Sequence, residues 1–294
     1  MKIKTLRLGD KAYPEALRNI YNPPQELFLM GGLLDSDKNA VAIVGTRRAT
    51  PYGLKQCERF ARDLALRGIT VISGMALGID SAAHAGALAV GGRTIAVLGS
   101  GHNHIYPREN TKLYGEIIKN GAVVSEYSPD TRPFKTNFPK RNRIISGLSK
   151  GVLVVEAPAR SGALITADFA LQQGREVFAL PGDVGSAKSN GTHRLIKEGA
   201  KLVECAWDIL EDLEHIIDIR EEPPVPGSCR PDPAAVLALP EQKKVFAFLD
   251  DRPKSLDEIS EITNIPVQKV SETLLGLELK KMIKALPGEN FVRA

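Results

Sequence analysis

The residues 137–143 gather one aromatic ring, Phe138, and three cations, Lys140, Arg141 and Arg143, before the chain turns apolar in the stretch NFPKRNRIISG. The window 130–150 carries six cations (Arg132, Lys135, Lys140, Arg141, Arg143 and Lys150) against one acid, Asp130, in a chain whose net charge is only +4. Cations interleaved with a flat ring suit a single-stranded nucleic acid, the charges meeting phosphates and the ring an unstacked base. Read alone, the stretch fits a solvated basic helix better, because charge runs are usually solvated faces. The elements around it have to decide between the two.

Two further segments could hold an anion. Gly45-Thr46-Arg47-Arg48 follows an apolar run and precedes a helical pattern. Its glycine admits close backbone approach, Thr46 and the helix N-terminus supply donors, and the arginines supply charge. Arg160-Ser161-Gly162-Ala163 stands before another helical pattern in the same way. Gly99-Ser100-Gly101 lacks the third glycine of a dinucleotide fingerprint, and no GxxxxGK[ST] loop occurs, so neither a dinucleotide cofactor nor an ATPase is expected. Asp80 and His84 lie one helical turn apart and could pair, a contact more often structural than catalytic. His102, His104 and His193 have no acid or nucleophile beside them, and no Ser/His/Asp set or carboxylate pair stands out. No catalytic residue and no metal ligand is assigned.

These segments punctuate a repeating pattern. The apolar runs AVAIVG (40–45), ITVISG (69–74), RTIAVLG (93–99), AVVSEY (122–127), GVLVVEA (151–157), EVFALPG (176–182) and KLVEC (201–205) mostly lack polar alternation, as strands buried on both faces do. Helical spacing lies between them: Leu54, Cys57, Phe60, Ala61 and Leu64 with Pro51 near the start and Gly68 at the stop, then Leu164, Ala167, Ala170 and Leu171 closed by Gly174. Strands alternating with helices predict an α/β domain over 39–215, an extended Rossmann-type, doubly wound, mostly parallel sheet. In such sheets ligands bind beyond the carboxyl ends of the strands. Residues 1–38 read as an N-terminal helical extension with one strand candidate, Leu27 to Met30.

Residues 216–239 read as an acidic, proline-rich, semi-rigid linker. Tethered to a basic stretch, it could compete with nucleic acid for that stretch, so deleting 216–239 should raise DNA affinity. Residues 240–294 read as three helices and a hairpin, a winged helix. Ser255 and Glu258 form a capping box, and Pro266 opens the third helix. This unit has nine cations and nine acids, and its third helix carries Glu272 and Glu278. A duplex reader shows a basic stripe, so a protein-contact role is favoured.

Composition sets the outer limits. The chain is 43% hydrophobic and 25% charged, ordinary for a globular protein. Cys57, Cys205 and Cys229 are odd in number, far apart and without a CxxC, which suggests reduced thiols, a cytoplasmic setting and no structural zinc. MKIKTLRLGD offers no signal peptide, and no run reaches the roughly 20 apolar residues of a membrane span.

The ordered motifs VAIVGTRRATPYG (41–53), SGMALGIDSAAHAGAL (73–88), GGRTIAVLGSG (91–101), YPRENTKLYGEI (106–117), NFPKRNRIISGLS (137–149), VVEAPARSGALITADFALQQGREVFALPG (154–182) and GTHRLIKEGA (191–200) closely resemble the DNA-processing protein A (DprA/Smf) family. The resemblance runs from about Tyr13 to Trp207, and the C-terminal unit is similar to that family's winged-helix tail. It implies a homodimer that binds single-stranded DNA without acting on it chemically, protects incoming DNA and loads the RecA recombinase during natural transformation. The implied DNA-binding set is Gly45, Thr46, Arg47 and Arg48; Lys135, Asn137, Phe138, Lys140, Arg141, Asn142 and Arg143; and Arg160, Ser161, Gly162 and Thr166. Leu77 departs from the family, which often has arginine there, so that segment is left out of the set. No sterile-alpha-motif-like N-terminal domain, as in some members, is expected.

Two other functions stay open. A related Rossmann group, the nucleotide phosphoribohydrolases, carries PGGxGTxxE, and Pro158 to Thr166 stands at the corresponding place without the double glycine or the glutamate. A transcriptional regulator would place the winged helix on duplex DNA, against which the neutral third helix argues.

Overall fold

The apolar runs form strands, and each ends within a residue or two of the polar or glycine residues that punctuate it. The computed structural model describes residues 2–217, 240–249, 253–279, 283–288 and 290–293. The chain divides into two units, Met1–Cys229 and Arg230–Ala294. Residues 218–239, most of the expected linker, lie outside the described residues, as do 280–282 at the expected end of the third C-terminal helix.

In the first unit the strands are β1 (Lys4–Arg7), β2 (Glu26–Gly31), β3 (Ala40–Val44), β4 (Thr70–Ser73), β5 (Thr94–Leu98), β6 (Ala122–Ser125), β7 (Gly151–Val154), β8 (Glu176–Ala179) and β9 (Lys201–Leu202). They join one sheet in the order β1-β2-β6-β5-β4-β3-β7-β8-β9. From β6 to β9 all neighbours pair in parallel. The helices are α1 (Glu15–Arg18), α2 (Pro51–Leu66), α3 (Ile79–Ala89), α4 (Thr111–Asn120), α5 (Asn137–Gly147), α6 (Gly162–Gln172), α7 (Asn190–Lys197) and α8 (Ala206–Leu213).

Alternation along β3 shows why both faces are covered. Ala42 and Val44 join one core with Leu17 of α1, Ile144 of α5, Leu164 of α6 and Leu195 of α7. Val41 and Ile43 join the opposite core with Phe60 of α2, Ile79 of α3 and Ile209 of α8. Successive strand residues point to opposite faces, so a run that is apolar at every position needs helices on both. α4 adds a satellite cluster, packing Tyr114 and Ile117 on Ala96, Leu98 and Val123.

Residues 1–38 are not a helical extension. β2 pairs antiparallel with β6, and β1 with β2, so this segment completes the sheet at one edge. Its helical content is one α-helical turn, Glu15–Arg18, and one 3-10 turn, Asp35–Lys38. Burial of Leu27 and Leu29 drives the docking, and covering β6 removes an edge with unpaired backbone groups. An ion pair from Asp37 to Arg93, at 2.8 Å, ties the end of the segment to the start of β5.

In the second unit α9 (Pro240–Phe248), α10 (Leu256–Thr263) and α11 (Val267–Leu279) enclose Val245, Ile259, Val270, Leu274 and Leu277. Ser255 Oγ accepts a hydrogen bond from the Glu258 amide at 3.2 Å, the expected cap, and Asn264 ends α10 in the left-handed region. The expected hairpin is β11 (Ile283–Leu286) with β12 (Asn290–Arg293). A short strand β10 (Lys254–Ser255), absent from the sequence reading, pairs with β12, giving the order β10-β12-β11.

Candidate nucleic-acid interface

Strand order reverses at β3. The chain leaves β3 toward β4 on one side, and later returns from β6 to place β7 on the other. The connections leaving β3 and β7 therefore diverge, and a crevice opens beyond their carboxyl ends. A cleft of about 700 Å³ lies there.

Three segments far apart in sequence line it. Gly45, Thr46, Arg47 and Arg48 follow β3; Lys135, Phe138, Arg141 and Asn142 come from the approach to α5 and its first turns; Arg160, Ser161, Gly162 and Thr166 come from the start of α6. Arg47, Arg48, Lys135 and Arg160 are exposed, and none has an ion-pair partner among the described residues. A mouth of unpaired cations over a low-dielectric wall focuses positive potential on an incoming polyanion.

Not every expected residue joins it. Asn137 and Lys140 lie outside the lining. Arg143 is directed elsewhere: its guanidinium meets Glu126 at 2.6 Å, with the two side chains 12% and 15% exposed. The pair lies close enough to the buried Tyr13 to act on its hydroxyl, which burial, the larger effect, helps push up to about 12. Arg143 is a nearly buried structural cation.

Arg141 lines the cleft from below. It is buried, and its guanidinium donates to the Gly74 carbonyl at 2.8 Å and to the Val97 carbonyl. Burial lowers its pKa to about 10, so it stays charged at neutral pH. Helical spacing accounts for this. Arg141, Ile144, Ile145 and Leu148 stand at i, i+3, i+4 and i+7, so Arg141 belongs to the buried stripe of α5. The acid among the described lining residues is Asp80, also buried, with its pKa raised by desolvation against the lowering field of Arg141. The considered Asp80–His84 pair does not form: His84 Nδ1 bonds Thr94 Oγ1 at 2.6 Å, and Asp80 accepts from the Ala76 amide at 3.4 Å.

The turn after β3 differs from the expected cradle in one respect. Glu156, which follows β7, places its carboxylate on the N-terminus of α2, accepting from the Thr50 amide at 2.9 Å and from the Thr50 hydroxyl. Its carbonyl accepts from the Thr46 amide at 2.7 Å. The α2 N-terminus is thus occupied by the protein's own anion. Gly45 is demanded by packing: a Cβ there would lie 2.6 Å from Ile79 Cγ1 and 2.9 Å from the Glu156 carbonyl oxygen.

The aromatic wall is a cluster. Phe138 packs so closely on Gly99 that a Cβ there would meet its ring at 2.7 Å. The Arg47 guanidinium lies 5.3 Å from the Phe138 ring centroid, a cation–π contact, and the Tyr106 ring is 5.5 Å away at 44°. Tyr106 is 43% exposed and lines the cleft, as does Lys188 from the loop before α7. Sequence reasoning assigned neither. The available signal for Tyr106 was an aromatic in a connection leaving a parallel strand; Lys188 had none beyond its charge. Leu77, 41% exposed, flanks the rings in a small adjoining pocket of about 30 Å³.

Among the described residues, no group of three or more His, Cys, Asp or Glu could hold a metal ion, and no helix is long and apolar enough to cross a membrane.

A DNA recombination-mediator protein A profile matches residues 4–214, and a DprA winged helix domain profile matches residues 230–289. The chain is 45% identical to Protein Smf of Escherichia coli (strain K12) over 278 residues, 94% of this chain and 74% of that protein. It is 45% identical to the DNA processing protein DprA of Bacillus subtilis (strain 168), over 72% of this chain and 71% of that one. The X-ray structure of DNA processing protein A from Streptococcus pneumoniae superposes with a TM-score of 0.67 at 44% identity, covering 72% of this chain and 75% of that chain. DNA processing protein A from Helicobacter pylori, whose structure concerns its single-stranded DNA binding mode, gives 0.66 at 32% identity, over 74% of this chain and 98% of that chain.

Proposed function

This chain belongs to the DNA recombination-mediator protein A (DprA/Smf) family, and from that premise we propose that its switch-point cleft holds a single strand of DNA. The observation that carries the reading is the convergence of Arg47, Arg48, Lys135 and Arg160, all without ion-pair partners among the described residues, on one cleft that also presents Phe138 and Tyr106. The cations neutralise phosphates and the rings stack bases, a combination that takes any sequence because every base has a π-face. A duplex keeps its bases stacked inside, where these rings gain nothing.

Binding, with no chemical step, is the activity this cleft suits. The phosphoribohydrolase alternative needs a carboxylate to activate water. The acid lining the cleft is Asp80, buried and beside Arg141, while Glu156 is spent on the α2 N-terminus. Release of adenine from adenosine monophosphate would reverse this view. The finer steps, a homodimer that protects the strand and recruits RecA in the cytoplasm during transformation, are supported by the family resemblance.

Fluorescence anisotropy with a labelled oligothymidine, competed by unlabelled single strand or duplex, tests the reading. Arg47→Ala and Phe138→Ala are both expected to weaken binding, and only Arg47→Ala to flatten its salt dependence. Parent-like binding by the double variant removes the site. Sedimentation velocity, and RecA filament assembly on the bound strand, test the dimer and the recruitment.

A further inference from the structure

Leu77 is an apolar side chain at a charged mouth. It lies in the turn between β4 and α3, it is 41% exposed, and it shares a small pocket with the rings of Tyr106 and Phe138. A single exposed leucine is ordinary. The turn that carries this one is clamped on three sides. Asn110, just before α4, donates to the Met75 carbonyl at 2.8 Å, and Ser81 of α3 donates to the Ala76 carbonyl at 2.6 Å. Met75 is buried with φ of 55°. Gly78, with φ of 79°, packs so tightly on the turn after β3 that a Cβ would collide with the Thr46 and Arg47 carbonyl oxygens. The backbone at Leu77 therefore has little freedom left to lose when a ligand covers it.

The chemistry of the pocket is a second observation. Its walls are Leu77, Pro107 and the two rings. Polar groups at its base are already engaged: the Gly74 carbonyl accepts from Arg141 at 2.8 Å, the Ala76 carbonyl accepts from Ser81, and the Arg47 guanidinium lies over the Phe138 ring. At about 30 Å³ the pocket has room for about two water-sized groups and none for a whole base. It adjoins the rings on which bases stack, so what enters it is the edge of a stacked base. The apolar edge among the DNA bases is the C5-methyl of thymine, and 5-methylcytosine presents the same group.

We propose that Leu77, with Pro107, Tyr106 and Phe138, forms a slot for the C5-methyl group of a stacked pyrimidine, and that Leu77 thereby gives the cleft a preference for 5-methylated pyrimidines. The proposal rests on the reading of the cleft as a single-strand site. Phosphate contacts carry no base information, and stacking on a ring accepts every base. The slot adds a modest selectivity that neither supplies, by burying one methyl group against carbon.

The test uses the full chain and two pairs of oligonucleotides of equal length: oligothymidine with oligodeoxyuridine, and oligodeoxycytidine with and without the C5-methyl. The methylated member of each pair should bind about fourfold tighter in competition anisotropy, the increment for one buried methyl group. Leu77→Ala removes the wall and should cut both preferences below about twofold. Leu77→Met keeps the wall apolar and should retain them. Neither variant changes a charge, so the salt dependence should match the parent's. A preference that survives Leu77→Ala would arise from stacking on the rings alone and overturns the slot. So does a preference for thymine over uracil without one for 5-methylcytosine over cytosine, because both carry the same group. Equal binding of all four strands by the parent removes the slot and leaves the single-strand reading standing, whereas a parent that binds none of them removes both.

Discussion

Arg143→Ala and Arg47→Ala should fail in opposite ways. Both remove one arginine from segments expected to meet DNA. Arg143 faces Glu126 at 2.6 Å in a site where both side chains are less than one-sixth exposed. Removing one member of a pair this well covered strands the other, at a cost of about 3 kcal/mol. For a unit of this size that is a fall in melting temperature of roughly 6–12 °C. Because Arg143 lies outside the cleft lining, the salt dependence of DNA binding should not change. Arg47 is exposed, unpaired with any described acid and at the cleft mouth. Its loss should leave stability within about 0.5 kcal/mol. It should reduce the slope of log affinity against log salt by about 0.7, the increment for one single-strand phosphate, so a fourfold rise in salt costs the variant about 2.6-fold less affinity than the parent. Thermal melting and oligothymidine anisotropy across a salt series measure both quantities on the same samples. A flattened slope in Arg143→Ala with unchanged melting would refute the division of charges drawn here. Glu126→Gln serves as a control, since it should reproduce the instability and bind DNA as the parent does.

Three other outcomes follow from the geometry. Tyr106→Ala should cost about 1–2 kcal/mol of single-strand affinity, roughly tenfold, with the salt slope unchanged, because it removes a stacking surface and no charge; anisotropy reads this directly. Gly45→Ala should destabilise the α/β unit by about 1–3 kcal/mol in a thermal melt, since its Cβ would crowd Ile79 and the Glu156 carbonyl. His84 is fully buried, and desolvation, with the field of Arg141 second, lowers its pKa to about 3. The unfolded chain binds this proton from about pH 6.5 downward and the folded chain does not, so acidification favours unfolding by up to about 1.4 kcal/mol per pH unit in that window. Urea melts from about pH 6.5 to 4 should show this slope, and His84→Gln should lessen it; an unchanged acid limb in the variant would assign the effect to other groups.

Much of this molecule is legible without coordinates. The apolar runs from Ala40 to Cys205 specify buried strands because a residue sequence with no polar alternation cannot face water on either side. Pro51 and Gly68 bracket α2, and Ser255 caps α10, through backbone chemistry that acts within a few residues. Periodicity even contained the fate of Arg141, whose spacing to Ile144, Ile145 and Leu148 puts it on the buried stripe; local charge density obscured it.

What local sequence could not decide was which charges are free. Lys135 and Arg143 belong to one basic stretch, yet Lys135 opens to the cleft while Arg143 is paired to Glu126, a residue that a different strand end delivers. The N-terminus of α2 reads as an anion site until β7, entering the sheet beside β3, brings Glu156 onto it. Residues 1–38 read as an extension until the open edge of β6 takes β2. Each of these depends on the order of strands in the sheet. Sequence by itself determined most of the strands and helices from Ala40 to Cys205, because hydrophobic period, helix caps and proline or glycine stops act locally. Only the tertiary structure decided partners, because whether a charge meets a carboxylate, a carbonyl or solvent depends on other segments, 17 residues away for Arg143 and Glu126 and 106 for Thr50 and Glu156.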